Sequence, residues 1–192
     1  LEKPILTFGL EQGDIHAPDL AYEKGVGSFD LMYRGENLGR ITLQVPGVHN
    51  VRNALAAMAV ARFLEVPAQD AVRALSAYKS PAMRQQVLEV NGLVLIDDSY
   101  NASPDSMRSA LDVLVTRQVP GRRIAVLADM LELGDFSRQG HREVGEYARS
   151  HGVELLVAVG PLSKEIAAGY GEGAVWFETN QQAIDYLKET LR

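Results

Sequence analysis

The spacing of hydrophobic positions changes twice along this chain. Over residues 1–46, short β-like runs at 5–8, 28–33 and 40–45 are separated by glycines, and Arg34-Gly35-Glu36-Asn37 stands between the last two where a hairpin connection would. This predicts a β-meander. From 47 to 80 the spacing is helical. Val51, Leu55, Met58 and Arg62 fall at i, i+4, i+7 and i+11, with alanines filling the positions between. Pro67 disfavours helical backbone at the residue before it and ends the run. A second helix is predicted over 68–78, with Ala71, Val72, Leu75 and Tyr78 on one face, so the pair forms an αα-hairpin.

From about residue 82 strands and helices alternate. The apolar run 93–96 is too short for a helix and suits a strand covered on both faces. Ser103-Pro104 supplies an N-cap serine with proline at the first helical position, opening a helix to about 115. Strands follow at 123–128, 154–159 and 174–177, each succeeded by a helix, at 139–150, 163–169 and 181–191. β-α-β-α-β-α-β-α is the pattern of a parallel doubly wound sheet. The expected class is therefore α/β, a Rossmann-like domain over 82–192 preceded by a meander and helix pair over 1–81, with the boundary near 79–84. The chain opens on Leu1 in a segment, Pro4-Ile5-Leu6-Thr7-Phe8-Gly9, that already reads as a strand, and it closes on a helix at Arg192. A piece of a longer protein is expected.

Composition narrows the class without naming a chemistry. With 46% hydrophobic residues the chain can bury a sizeable core. The net charge of −6 and pI near 5.2 offer no basic face for nucleic acid, and Arg122-Arg123 is the densest basic point. No apolar stretch approaches the roughly 20 residues of a bilayer span, and no signal-peptide pattern opens the chain. Cysteine is absent, which removes disulfides and thiolate metal sites. These features favour a cytoplasmic protein, and a monomer is expected.

Candidate chemistry gathers in a few polar clusters. Open α/β sheets bind ligands at the carboxyl ends of their strands. Asp97-Asp98-Ser99-Tyr100-Asn101 follows the run 93–96, and Asp129-Met130-Leu131-Glu132-Leu133-Gly134 follows the strand ending at 128. Two neighbouring strands ending in carboxylates would make a rim for hydroxyls, an ammonium group or a hydrated cation. Equally, Asp97 or Asp98 caps a turn. Asn50 and Asn53 lie three apart at a helix start, and their carboxamides suit the edge of an adenine; alternatively Asn50 is an N-cap. His49 beside them is open between a structural and a binding role. Arg84, at the boundary, either clamps a nucleotide or makes a salt bridge. His16, His141 and His151 show no metal-ligand spacing, and no phosphate loop, dinucleotide fingerprint or nucleophile elbow occurs.

In order, these pieces resemble one family. Pro46-Gly47-Val48-His49-Asn50-Val51-Arg52-Asn53-Ala54-Leu55-Ala56-Ala57 is similar to the His-Asn-x-x-Asn-x-x-Ala-Ala segment of the Mur ligase superfamily, and Met83-Arg84 resembles the arginine at the junction of its central and C-terminal domains. The segments from Asp97 to Met107 and from Ile124 to Gly134, with His141-Arg142-Glu143-Val144-Gly145, resemble the versions in its D-alanyl-D-alanine-adding branch. Ala128 stands where glycine is commoner.

The resemblance implies an ATP-dependent amide-bond ligase of peptidoglycan precursor synthesis. It would join D-alanyl-D-alanine to UDP-N-acetylmuramoyl-tripeptide through an acyl phosphate. A diaminopimelate- or lysine-adding ligase, a folylpolyglutamate synthetase-like protein and a non-catalytic nucleotide- or dipeptide-binding module are the alternatives. By resemblance, Asn50, Asn53, Arg84, Asp98 and His49 would serve ATP, with Asp98 on the ribose hydroxyls. Tyr100, Asn101 and Ser103, then Asp129 and Glu132, would contact the dipeptide. The phosphate loop and the Mg²⁺ ligands would lie upstream of this segment, which alone would be inactive and would act as the closing part of the ligase.

Overall fold

The computed structural model describes residues 5–23, 25–117 and 120–191. Leu1, Pro4 and Arg192, which carry the expectation of a longer chain, lie outside the described residues. The chain packs into two units, Leu1–Asp97 and Asp98–Arg192.

The first unit is built on strands β1 (Phe8–Gly9), β2 (Ile15–His16), β3 (Ala21–Glu23), β4 (Val26–Tyr33) and β5 (Glu36–Pro46), then helices α1 (Val48–Phe63) and α2 (Ala68–Ala77). β4 pairs antiparallel with β5 along one edge and with β2 and β3 along the other. Tyr33 pairs with Glu36, which leaves a two-residue loop of Arg34 (φ 47°) and Gly35 (φ 85°). Two consecutive positive φ values define the turn whose twist matches a hairpin. Alternate residues of these strands, Phe29 and Leu31 with Ile41, Leu43 and Val45, point inward and are buried. Val51, Leu55 and Met58 of α1 close over them, fully buried. The fourth member of that helical row, Arg62, lays its guanidinium over the Tyr33 ring, 5.0 Å from the centroid.

Several expectations are corrected here. Of the run 5–8, only Phe8 lies in a strand. Thr7 instead gives its N–H and hydroxyl to the Asp14 carboxylate, at 2.9 and 2.8 Å, a side-chain bond that competes with sheet pairing. Tyr78 does not share the buried face of α2, because the backbone turns extended at that residue and leaves its ring half exposed.

The run 93–96 departs furthest from expectation. It forms β7 (Leu93–Asp97), which pairs antiparallel with β6 (Gln86–Val90) in a separate two-stranded sheet. Leu93 and Leu95 are half exposed, so this strand is not covered on both faces. The cause is Asn91-Gly92, with φ of 49° and 81°, a two-residue turn that folds 93–97 back on 86–90.

The second unit is α3 (Pro104–Thr116), β8 (Ile124–Ala128), α4 (Ser137–Ser150), β9 (Leu155–Val159), α5 (Lys164–Tyr170), β10 (Ala174–Phe177) and α6 (Asn180–Thr190). Its sheet is parallel, in the order β10-β9-β8. Every residue of β9 is buried. Leu156 and Ala158 meet a core shared with α3, α4 and α5, while Leu155, Val157 and Val159 meet Ala183, Tyr186 and Leu187 of α6. The unbroken apolar sequence of a doubly covered strand is thus realised by β9. The α/β class with a parallel, doubly wound sheet stands as expected.

Candidate functional site

Gly47, with φ 96°, is the N-cap of α1, so Asn50 is the third helical residue and not a cap. The Asn50 side-chain amide donates to the Pro46 carbonyl at 2.6 Å, and the Asn53 amide reaches the Asn50 carboxamide oxygen at 3.4 Å. Asn50 is thereby held as a buttress, and the exposed Asn53 turns a free amide edge, one donor and one acceptor, to the surface. That edge fits an adenine. His49 beside it is half-buried.

Downstream of α2, the Ser80 hydroxyl donates to the Arg84 carbonyl, and Met83 and Gln85 adopt φ of 62° and 49°. Arg84, an exposed residue, therefore sits between two left-handed non-glycine residues, a costly backbone. Asp97 ends β7 and Asp98 begins the second unit; both are half-buried. Tyr100 is 59% exposed. The Asn101 side-chain oxygen accepts from the Ala102 N–H at 2.9 Å, a turn contact. Ser103 is the N-cap of α3, in a reciprocal capping box with Ser106. The cap read from Ser103-Pro104 is present, and its hydroxyl is already engaged with the Ser106 N–H at 3.3 Å.

The two carboxylate-tipped strands are not neighbours in one sheet, since β7 belongs to the hairpin sheet and β8 to the parallel one. The second cluster keeps its place at the carboxyl end of β8. There the Asp129 carboxylate accepts the N–H and hydroxyl of the buried Ser163 at 2.7 and 2.8 Å. Asp129 is turned inward, while Glu132 is exposed, with φ 65°. The Met130 N–H donates to Nε2 of His141, whose ring is fully buried. The roles of His141 and Ser163 were not legible from spacing, because each partner lies more than ten residues away across a loop.

Beside this loop a shallow cleft of about 400 Å³ opens between the segments following β8 and β9. Asp135, Arg138, Lys164 and Glu165 line it with charges of both signs, and Arg138 pairs with Glu165 at 3.2 Å. A depression of about 470 Å³ along Arg108, Glu143 and Tyr147 lies against α3 and α4, away from the strand ends where such sheets bind ligands. No helix among the described residues is long and apolar enough to cross a membrane.

The family model described as "Mur ligase middle domain" matches residues 1–61, and "Mur ligase, glutamate ligase domain" matches residues 83–192. The UDP-N-acetylmuramoyl-tripeptide–D-alanyl-D-alanine ligase of Synechocystis is 34% identical over 97% of this chain and 39% of its own length. The UDP-N-acetylmuramate–L-alanine ligase of Cereibacter sphaeroides is 40% identical over 65% of this chain and 27% of its own. Among solved structures, MurF from Acinetobacter baumannii superposes with a TM-score of 0.87 at 32% identity, over 97% of this chain and 40% of that one. The chain thus spans 28% to 40% of the length of dipeptide ligases that it matches. With the amide-bearing start of α1 inside one matched segment and the loop after β8 inside the other, the chain belongs to the Mur ligase family.

Proposed function

We propose that this chain is part of an ATP-dependent ligase that joins D-alanyl-D-alanine to UDP-N-acetylmuramoyl-tripeptide, with residues 1–81 ending the central domain and 82–192 belonging to the C-terminal domain. Coverage carries the reading. A dipeptide ligase matches 97% of the chain, whereas the L-alanine ligase of higher identity matches 65%. The L-alanine-adding reading rests on that 40% identity and is second.

In the proposed reaction the tripeptide carboxylate attacks the γ-phosphate of ATP, and the dipeptide amine displaces phosphate from the acyl phosphate through a tetrahedral intermediate. Such transfers depend on positioning and charge neutralisation more than on covalent help from the protein. Asn53, buttressed by Asn50 and with His49 beside it, reads the adenine edge; Asp98 takes the ribose hydroxyls and Arg84 lies against the nucleotide. Tyr100, Asn101 and Glu132 face the dipeptide, with Ser103 and Asp129 shaping the loops that carry them. Among the described residues no group of three or more His, Cys, Asp or Glu stands close enough to hold a metal. The Mg²⁺ ligands are assigned upstream of this segment, with the phosphate loop. These 192 residues carry no phosphate loop and do not turn over alone. The reaction consumes ATP, and we assign it to the cytoplasm.

The test is a split in kinetic constants, measured on the complete reading frame that encodes this chain. Asn53→Ala raises the KM for ATP roughly tenfold, the equivalent of one lost hydrogen bond of about 1.4 kcal/mol, and leaves the dipeptide KM unmoved. Tyr100→Ala does the converse. An Asn53→Ala enzyme with an unchanged ATP KM contradicts the assignment.

A further inference from the structure

We infer that His141 and Ser163 are positioning residues that hold Glu132 in place to bind the ammonium group of the incoming dipeptide. The inference rests on the dipeptide-ligase reading and assigns to that site two residues that touch no substrate.

The observations concern four consecutive residues. Asp129 is fixed by the N–H of Ser163 at 2.7 Å, and the hydroxyl of the fully buried Ser163 lies 2.8 Å from the same carboxylate oxygen, shared with the Val159 and Gly160 carbonyls at 2.5 and 3.1 Å. Met130 is fixed by its N–H to Nε2 of His141 at 2.9 Å. The other ring nitrogen, Nδ1, donates to the Ser137 carbonyl at 2.7 Å, and this sets the tautomer that leaves Nε2 as an acceptor. Both the His141 ring and Met130 are 0% exposed. A buried polar ring is unfavourable unless both nitrogens are satisfied, and packing alone would be served by leucine. What the histidine adds is a grip on one backbone N–H.

Immediately beyond the two anchors the chain leaves the core. Leu131 is 69% exposed, and Glu132 is exposed in the left-handed region at φ 65°. A non-glycine residue keeps that backbone where its surroundings constrain it, and the anchors at 129 and 130 fix the chain immediately before it. The Glu132 carboxylate makes no hydrogen bond or ion pair with any described residue. An unpaired carboxylate on the loop at the carboxyl end of a parallel strand, two residues beyond a fixed stretch of backbone, puts negative charge where such sheets bind ligands and suits a cation. The one cationic group of the dipeptide is its ammonium.

Kinetics on the complete reading frame test this. His141→Leu keeps the bulk and removes the acceptor, while His141→Gln returns an acceptor near the Nε2 position. His141→Leu is expected to raise the dipeptide KM about tenfold and to leave the ATP KM within about twofold, and His141→Gln to recover most of the loss. Glu132→Gln raises the dipeptide KM to a similar extent, and the double variant His141→Leu/Glu132→Gln is no worse than Glu132→Gln alone, because the histidine acts through the glutamate. Additive losses, or an equal rise in both KM values, overturn the inference. So does an unchanged dipeptide KM in His141→Leu, which leaves the ligase reading intact. A wild-type enzyme that does not use D-alanyl-D-alanine overturns the ligase reading and this inference with it. If His141→Leu does not fold, Ser163→Ala, which keeps its N–H on Asp129, takes its place in the same double-variant comparison, and additivity there is equally fatal.

Discussion

Asp14 shows how much one side chain can organise. It accepts from the Thr7 N–H, from the Arg34 guanidinium and from the Thr7 hydroxyl, and these bonds hold its carboxyl down to about 2 from the usual 3.8. A depressed carboxylate contributes stability that is present above its unfolded value and is lost as pH falls through the folded one. Asp14→Asn is therefore expected to remove a part of the acid dependence confined between pH 3.8 and about 2, read as the difference between wild-type and variant urea midpoints. Equal slopes in that window refute the assignment. Single residues were legible from sequence only where their partners are local. Ser103 declares itself as a cap through Pro104, and the structure adds its reciprocal partner Ser106. Asn50 does not, because its bond to the Pro46 carbonyl makes it a buttress within the helix, and only the structure tells a cap from a buttress three residues further on.

At the scale of elements, α4 and α5 meet at a pair of glycines. A Cβ on Gly145 would stand 2.0 Å from the Ile166 carbonyl oxygen, and one on Gly169 would stand 2.1 Å from that of Arg142. Two helical effects then oppose one another. Alanine gains up to about 1 kcal/mol of helix propensity over glycine, while overpacking against rigid backbone costs about 1–3 kcal/mol or more. The clash wins, so Gly145→Ala is expected to lower stability by about 2 kcal/mol and the melting temperature by several degrees. A Gly145→Ala protein as stable as wild type would show the helices free to separate.

The neighbouring contact of α3 with α4 runs through Tyr147, whose hydroxyl donates to Asp112 at 2.6 Å. Burial first, and then this hydrogen bond, push the phenol up to about 12 from 10.0. A raised value means that the stabilising neutral form is complete below pH 10.0 and fades as pH rises toward 12. Tyr147→Phe should abolish that alkaline loss, at the expense of one hydrogen bond to a charged group, about 1.5–3 kcal/mol at neutral pH; an alkaline limb that persists in the variant refutes the assignment. The helices and parallel strands of the second unit were readable because period and punctuation agree there. The β6–β7 hairpin was misread because an apolar run is equally consistent with a covered strand, and the Asn91-Gly92 signal beside it decides otherwise.

At the scale of the molecule, each unit carries its own core. Phe29, Leu31, Ile41, Leu55 and Met58 centre the first, and Leu156, Ile166, Val144 and Met130 the second. Composition and alternation were enough to place the chain in the α/β class. They were silent on chemistry, since the amides, carboxylates and arginine at issue each have an ordinary structural use. Their order along the chain pointed to a family, and the two matched family segments bear out that resemblance.

The most direct test of the proposed function offers the product of the complete reading frame ATP, UDP-N-acetylmuramoyl-tripeptide, UDP-N-acetylmuramate, and equal amounts of D-alanyl-D-alanine and L-alanine. Products are then read by mass. The account predicts a tripeptide product heavier by the dipeptide less water, with one phosphate released per bond formed. L-alanine appearing on UDP-N-acetylmuramate, with the tripeptide untouched, would contradict it.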